Sequence, residues 1–126
     1  MSDGRVSDDE IVYRRIPPVL PFFEEPDRVT SQNFKLDRRR NEIGLSVYRS
    51  SVVTPTQVLQ RPDAVPDSRI VAARVGDIRN LQSGDGKPLD LDVVIVDDAN
   101  NPGHSEIRGV LKESAAKALQ RLFKLI

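Results

Sequence analysis

The chain has 126 residues, room for one core, and with 38% hydrophobic and 30% charged residues it falls in the globular range. Nineteen basic residues balance nineteen acidic ones, so no net field draws it to nucleic acid or to an acidic membrane surface. With no cysteine it has no disulfide, thiolate metal site or thiol nucleophile, and no run approaches the roughly 20 apolar residues of a membrane helix.

Met1 to Glu10 is polar and acidic without periodicity, which predicts a disordered acidic tail ahead of a single domain over residues 11–126. The positive patch and apolar stretch of a secretory leader are missing from it, so the expected compartment is the cytoplasm. Ile11 to Ile16, IVYRRI, is β-branched and aromatic, and Pro17-Pro18 closes it because proline cannot donate to a ladder. An edge or terminal strand is expected there. From Pro17 to Pro26 four prolines frame Val19, Leu20, Phe22 and Phe23. Such a segment is either pinned across the edge of the core or offered to a partner groove, with Phe22 and Phe23 as the partner-binding side chains.

Ser31 to Leu36 and Ile43 to Val53 read as the two strands of a hairpin around the polar turn Asp37 to Glu42. Alternation puts Leu45 and Val47 on a core face and Ser46, Tyr48 and Ser50 on the other. Arg38, Arg39 and Arg40, with Lys35 and Arg49, are the best basic patch, but few aromatics accompany them and a solvated hairpin tip explains them. Thr54-Pro55-Thr56-Gln57 predicts a helix start: Thr54 caps, Pro55 needs no N–H, and Gln57 reaches back to the cap. Pro62 and Pro66 limit that helix to about two turns, burying Val58 and Leu59.

Ile70 to Val75 reads as a strand and Gly76 to Leu81 as a short helix with Asp77 near its positive end. The loop Gln82 to Lys87, QSGDGK, lacks the spacing of a phosphate-binding loop. Leu91 to Val96 reads as a strand apolar on both faces in its second half and is expected at the centre of the sheet. Asp97 to Gly103 makes a turn, and His104 to Leu111 returns. A last helix carries Ala115, Leu119, Leu122, Phe123 and Ile126 as one apolar stripe, with Lys117, Arg121 and Lys124 on its polar side. The expected fold is α+β: a mostly antiparallel sheet of five to six strands with a C-terminal amphipathic helix packed on one face.

His104, the only histidine, begins a strand on which Glu106 and Arg108 share its face. A histidine and a carboxylate can move protons, and Arg14, Arg15 and Arg108 can hold an anion, so these five are the candidate catalytic and substrate-binding residues. Hydrogen bonding of His104 to local backbone is the plainer alternative. Asp97, Asp98, Asn100 and Asn101 offer oxygen ligands but not in the calcium-loop order, and turn chemistry accounts for them. Neither a metal nor a cofactor is expected.

The succession Tyr13-Arg14-Arg15-Ile16-Pro17-Pro18, Leu45-Ser46-Val47, Gly76-Asp77-Ile78-Arg79 and Asn101-Pro102-Gly103-His104 resembles that of a group of small uncharacterised bacterial proteins. The resemblance spans about a hundred residues and implies a single cytoplasmic domain, with no activity attached to it. A second resemblance is to ADP-ribosyl-transferring folds. It rests on Arg14 or Arg15 on an early strand, Ser50 with Ser51 on a second, and Glu106 on a late one. It implies that the arginine grips a dinucleotide, the serines support the pocket and the glutamate steers transfer.

Two functional classes follow. One is a non-catalytic protein-interaction or accessory module with a protein partner, free of membrane and nucleic acid. The other is a small group-transfer or hydrolytic enzyme for a nucleotide-like anion, using His104 and Glu106 with Arg14 or Arg15 on the phosphate. They part on whether Arg14 or Arg15 and His104 line one cavity.

Overall fold

Thr54 accepts from the backbone N–H of Gln57 while the Gln57 side chain accepts from the N–H of Thr54, so the capping box is complete and a helix begins at Pro55. This computed structural model describes residues 6–18, 23–25, 28–36, 42–96 and 99–126. The elements are β1 (Ile11–Ile16), β2 (Phe23–Glu25), β3 (Arg28–Val29), a 3-10 turn (Ser31–Phe34), β4 (Leu45–Arg49), α1 (Pro55–Leu59), β5 (Arg69–Arg74), α2 (Val75–Arg79), β6 (Asp92–Ile95), β7 (His104–Arg108), α3 (Glu113–Leu122) and β8 (Lys124–Leu125). Six strands form one antiparallel sheet in the order β6-β7-β4-β1-β5-β8, with β2 and β3 paired separately. The fold is a single α+β domain with a C-terminal helix.

Strand alternation gives the sheet two unlike faces. Val12, Ile16, Leu45, Val47, Val71, Val93 and Ile107 point to the first, where they meet Ala115, Ala116 and Leu119 of α3 in the main core. Phe34 of the 3-10 turn is fully buried there, its ring 5.2 Å from that of Phe123. On the second face Tyr48 and Ile70 pack with Val53 and with Val58 of α1, and Tyr13 flanks them. β5 and β6 lie four places apart, about 19 Å in a flat sheet. Yet α2, only about 7 Å long, leaves the end of β5 and reaches β6, where Arg79 Nε donates to Asp92 Oδ1 at 2.8 Å. The sheet therefore curls around the first face, and Val75 and Ile78 of α2 close one end of the core.

Several expectations are corrected. β1 is interior, paired with both β4 and β5, since Pro17 and Pro18 end the strand without touching its flanks. Ser31 to Leu36 is not a strand and forms no hairpin with β4. Asn33 folds back to donate to the Thr30 carbonyl at 3.1 Å, and the local turn wins over an alternating pattern. The strand read over Ile43 to Val53 is limited to Leu45–Arg49. β6 is an edge strand, not a central one, and Val94 and Ile95 are only half-buried. The apolar stripe of the last helix continues to Ile126 in sequence, but the chain leaves the helix at Phe123 and adds β8 to the open side of β5, leaving Ile126 exposed. Unpaired ladder groups on β5 gain partners this way. Within α1, Val58 is buried and Leu59 exposed.

The tail expected over residues 1–10 is docked from Val6 on. Val6 lies in the main core, the backbone N–H groups of Gly76 and Val75 donate to the Asp8 and Glu10 carbonyls, and Asp8 pairs with Arg79 at 2.6 Å. Burial opposes the charge on Arg79, but hydrogen bonds to Asp92 and Asp8 outweigh it and raise the guanidinium above its ordinary value. Phe22 lies outside the described residues, and Phe23 is described only through its backbone in β2.

Candidate functional site

The corner that presents His104 is held by backbone. Gly103 has a φ of +80°, in the left-handed region that a side chain disfavours. Its carbonyl accepts from Arg49 N–H at 3.0 Å, and the His104 carbonyl accepts from Val96 N–H at 3.1 Å. β7 then runs beside β4 with His104 opposite Tyr48 and Glu106 opposite Ser46. The imidazole tilts against the Tyr48 ring at a centroid distance of 5.5 Å, and its Nε2 lies 3.0 Å from Ser46 Oγ. His104 is thus engaged by a hydroxyl and a ring on its neighbouring strand.

Glu106 and Arg108, two residues apart on β7, project from the same face. Nε and Nη2 of Arg108 both donate to Glu106 Oε1, at 3.0 and 2.9 Å. The half-buried carboxylate is neutralised by its neighbour, and much of the guanidinium fork is spent on it. Arg108 is accordingly tied to Glu106 instead of standing ready for an anion.

Arg14 and Arg15 diverge because adjacent strand residues point to opposite faces. Arg14 lies on the first face, over the Phe34 ring at 5.9 Å, and donates to the Asn33 and Ser46 carbonyls at 2.8 and 2.6 Å. Burial, opposed by Glu42 and reinforced by Arg15, pushes its guanidinium down to about 10. Arg15 shares the second face with His104, but it donates to the Val58 carbonyl at 3.1 Å and pairs with Asp63 at 3.3 Å. Ser50 and Ser51 are also occupied: both hydroxyls donate to the Glu10 carboxylate, at 2.9 and 2.5 Å. The structure therefore brings His104, Glu106 and Arg108 onto one face, sends Arg14 to the other, and directs Arg15, Ser50 and Ser51 to partners of their own.

Beside the Tyr48 ring lies a cleft that sequence reading missed. Tyr48, Val53, Gln57, Val58, Arg61 and Pro102 line it, and its volume is about 150 Å³. Arg61 sits with its guanidinium 5.7 Å from the centre of the Tyr48 ring. Its contacts to the Asn100 carbonyl and to Asp63 are both long, at 3.5 Å. Burial raises the Asp63 carboxyl, but the charge and hydrogen bond of Arg15, helped by Arg61, hold it below its ordinary value. The one available signal was the capping box, which fixes where Gln57 stands on α1; Arg61 follows just past the end of that helix.

Among the described residues, no group of three His, Cys, Asp or Glu is placed to hold a metal, and no helix is long and apolar enough to cross a membrane. No family model, curated protein or solved structure matches the chain.

Proposed function

We propose that the chain is a non-catalytic protein-interaction or accessory module of a bacterial cytoplasmic system, meeting a protein partner through the β4–β7 half of its second face. The observation that carries this reading is the mutual satisfaction of the chemistry-bearing groups. Glu106 is bound by Arg108, His104 by Ser46 and Tyr48, and Arg14 stands across the sheet from all of them. A proton-transfer site needs its acid, base and anion holder around one space. The cleft beside the Tyr48 ring, at about 150 Å³, is small beside the roughly 300–1,000 Å³ of small-molecule sites. What this face offers instead is a row of half-buried polar groups, His104 held by Ser46 across the strands and Glu106 by Arg108 along β7, with Ser46 exposed among them. Fixed polar groups of this kind suit protein recognition, where little ordering remains to be done on binding. A chain without cysteine is at ease in a reducing compartment, which supports the cytoplasm.

Photocrosslinking residues placed at Ser46 and at Arg108 test the reading in cells, with Lys117 on the exposed side of α3 as control. The same discrete protein adduct is expected from both β-sheet positions and not from the helix. Turnover of NAD or of a nucleoside triphosphate by the purified chain, lost in both His104→Ala and Glu106→Gln, would overturn it in favour of a group-transfer or hydrolytic enzyme.

A further inference from the structure

The cleft under α1 has an excess of donors and of positive charge. Among the described residues one exposed carboxylate, Asp63, serves two guanidinium groups, Arg15 at 3.3 Å and Arg61 at 3.5 Å, so a positive charge is left over. Arg15 is further tied to the Val58 carbonyl, whereas the contacts of Arg61 among the described residues are long, and its buried Nε, 3.5 Å from Asp63 Oδ1, makes no hydrogen bond with them. The cleft's second donor is fixed by the helix cap. Gln57 Oε1 must accept from Thr54 N–H, at 2.8 Å, so the amide's orientation is settled and its NH₂ end is left as a donor at the rim. Between these donors the walls are the Tyr48 ring, Pro102, Val53 and Val58, apolar surfaces that suit a short hydrocarbon stem. At about 150 Å³ the space equals about five water molecules at ~30 Å³ each, the size of one side chain and too small for a nucleotide.

We propose that this cleft is the seat of a single carboxylate-bearing side chain, an aspartate or glutamate, of the protein partner. The inference rests on the interaction reading above and names the chemistry that the partner presents. A carboxylate entering between Gln57 and Arg61 takes N–H donors from both, with its methylene stem against Tyr48 and Pro102. Charge-assisted bonds in a partly enclosed site are the strong kind, and the planar fork of Arg61 matches a carboxylate's two oxygens.

The test is a nitrogen-15 NMR titration of the full chain with N-acetyl-glutamate amide, its glutamine counterpart, acetate and inorganic phosphate. The glutamate compound is expected to shift the amide signals of Tyr48, Gln57, Arg61 and Gly103 saturably, in the millimolar range, and more tightly than the other three. Arg61→Gln should weaken it about tenfold. Gln57→Glu keeps an acceptor for Thr54 N–H, and so keeps α1, while placing a negative charge at the rim; it should abolish the shifts. Equal binding of the glutamine compound, of acetate or of phosphate, no saturable shift, or full binding by folded Gln57→Glu would each overturn the assignment. If crosslinks still form at Ser46 and Arg108 while the glutamate compound fails to bind, this inference falls and the interaction reading stands.

Discussion

Under α3 the first face of the sheet fully buries Phe34, Ile16, Ile107 and Leu119, whereas under α1 the second face buries, among the described hydrophobic residues, Tyr48, Val53, Val58 and Ile70 and leaves Ser46 exposed. The first face has the continuous packing that determines whether the domain folds. The second divides into a small apolar patch and a polar row, and its polar side chains are fixed mainly by hydrogen bonds and ion pairs. Stability and recognition are thus placed on opposite sides of the same strands. Arg14 and Arg15 show how cleanly: one residue apart, they belong to different halves of the molecule.

The largest expected effect is on the first face. Phe34→Ala removes a ring packed on Phe123 and lying beneath Arg14, and it should cost about 3–5 kcal/mol. Val58→Ala on the second face removes two methyl-sized groups and should cost about 2 kcal/mol. Urea unfolding with a shared slope reads both, and equal costs would erase the contrast between the faces.

Next comes the exit from β7. Gly109 has a φ of +141°, and a Cβ there would stand 2.8 Å from Leu91 Cδ2, so Gly109→Ala should cost about 1–3 kcal/mol. A variant as stable as the parent would mean that the end of the β6–β7 hairpin relaxes freely. Smaller still, Thr54→Ala breaks the capping box and should cost about 1 kcal/mol. Amide exchange in α1 should speed up while β7 amides stay protected, because the cap holds the second face alone.

Sequence showed most clearly what is local. The α1 cap, the hairpin turning at Asn-Pro-Gly, and the helical stripe as far as Leu122 are set by contacts a few residues apart. Strand order was not legible in the same way. β6 carries apolar residues on both faces in its second half yet sits at an edge, and β1 runs into two prolines yet sits inside, because neighbours across a sheet are chosen by packing over long separations. At the site, alternation alone put His104, Glu106 and Arg108 on one face. That Arg108 would be spent on Glu106, and Arg15 on Asp63 and Val58, depends on side-chain reach across elements that the sequence does not order.

The smallest effect tests the charge balance of the second face. Burial pushes the Asp63 carboxyl up, but the charge and hydrogen bond of Arg15, with help from Arg61, outweigh it and hold the folded pKa below the ordinary carboxylate value of 3.8. For a depressed carboxylate the folded state binds its proton less readily than the unfolded chain. The stabilisation is therefore fully present above about pH 4 and is lost as pH falls through the folded value. Because the side chain is 64% exposed, solvent screens the pair and the contribution is under about 1 kcal/mol. Asp63→Asn should melt slightly below the parent at pH 7, and the gap should close on acidification below pH 4. A gap that persisted in acid would show that Asp63 acts through hydrogen bonding rather than charge.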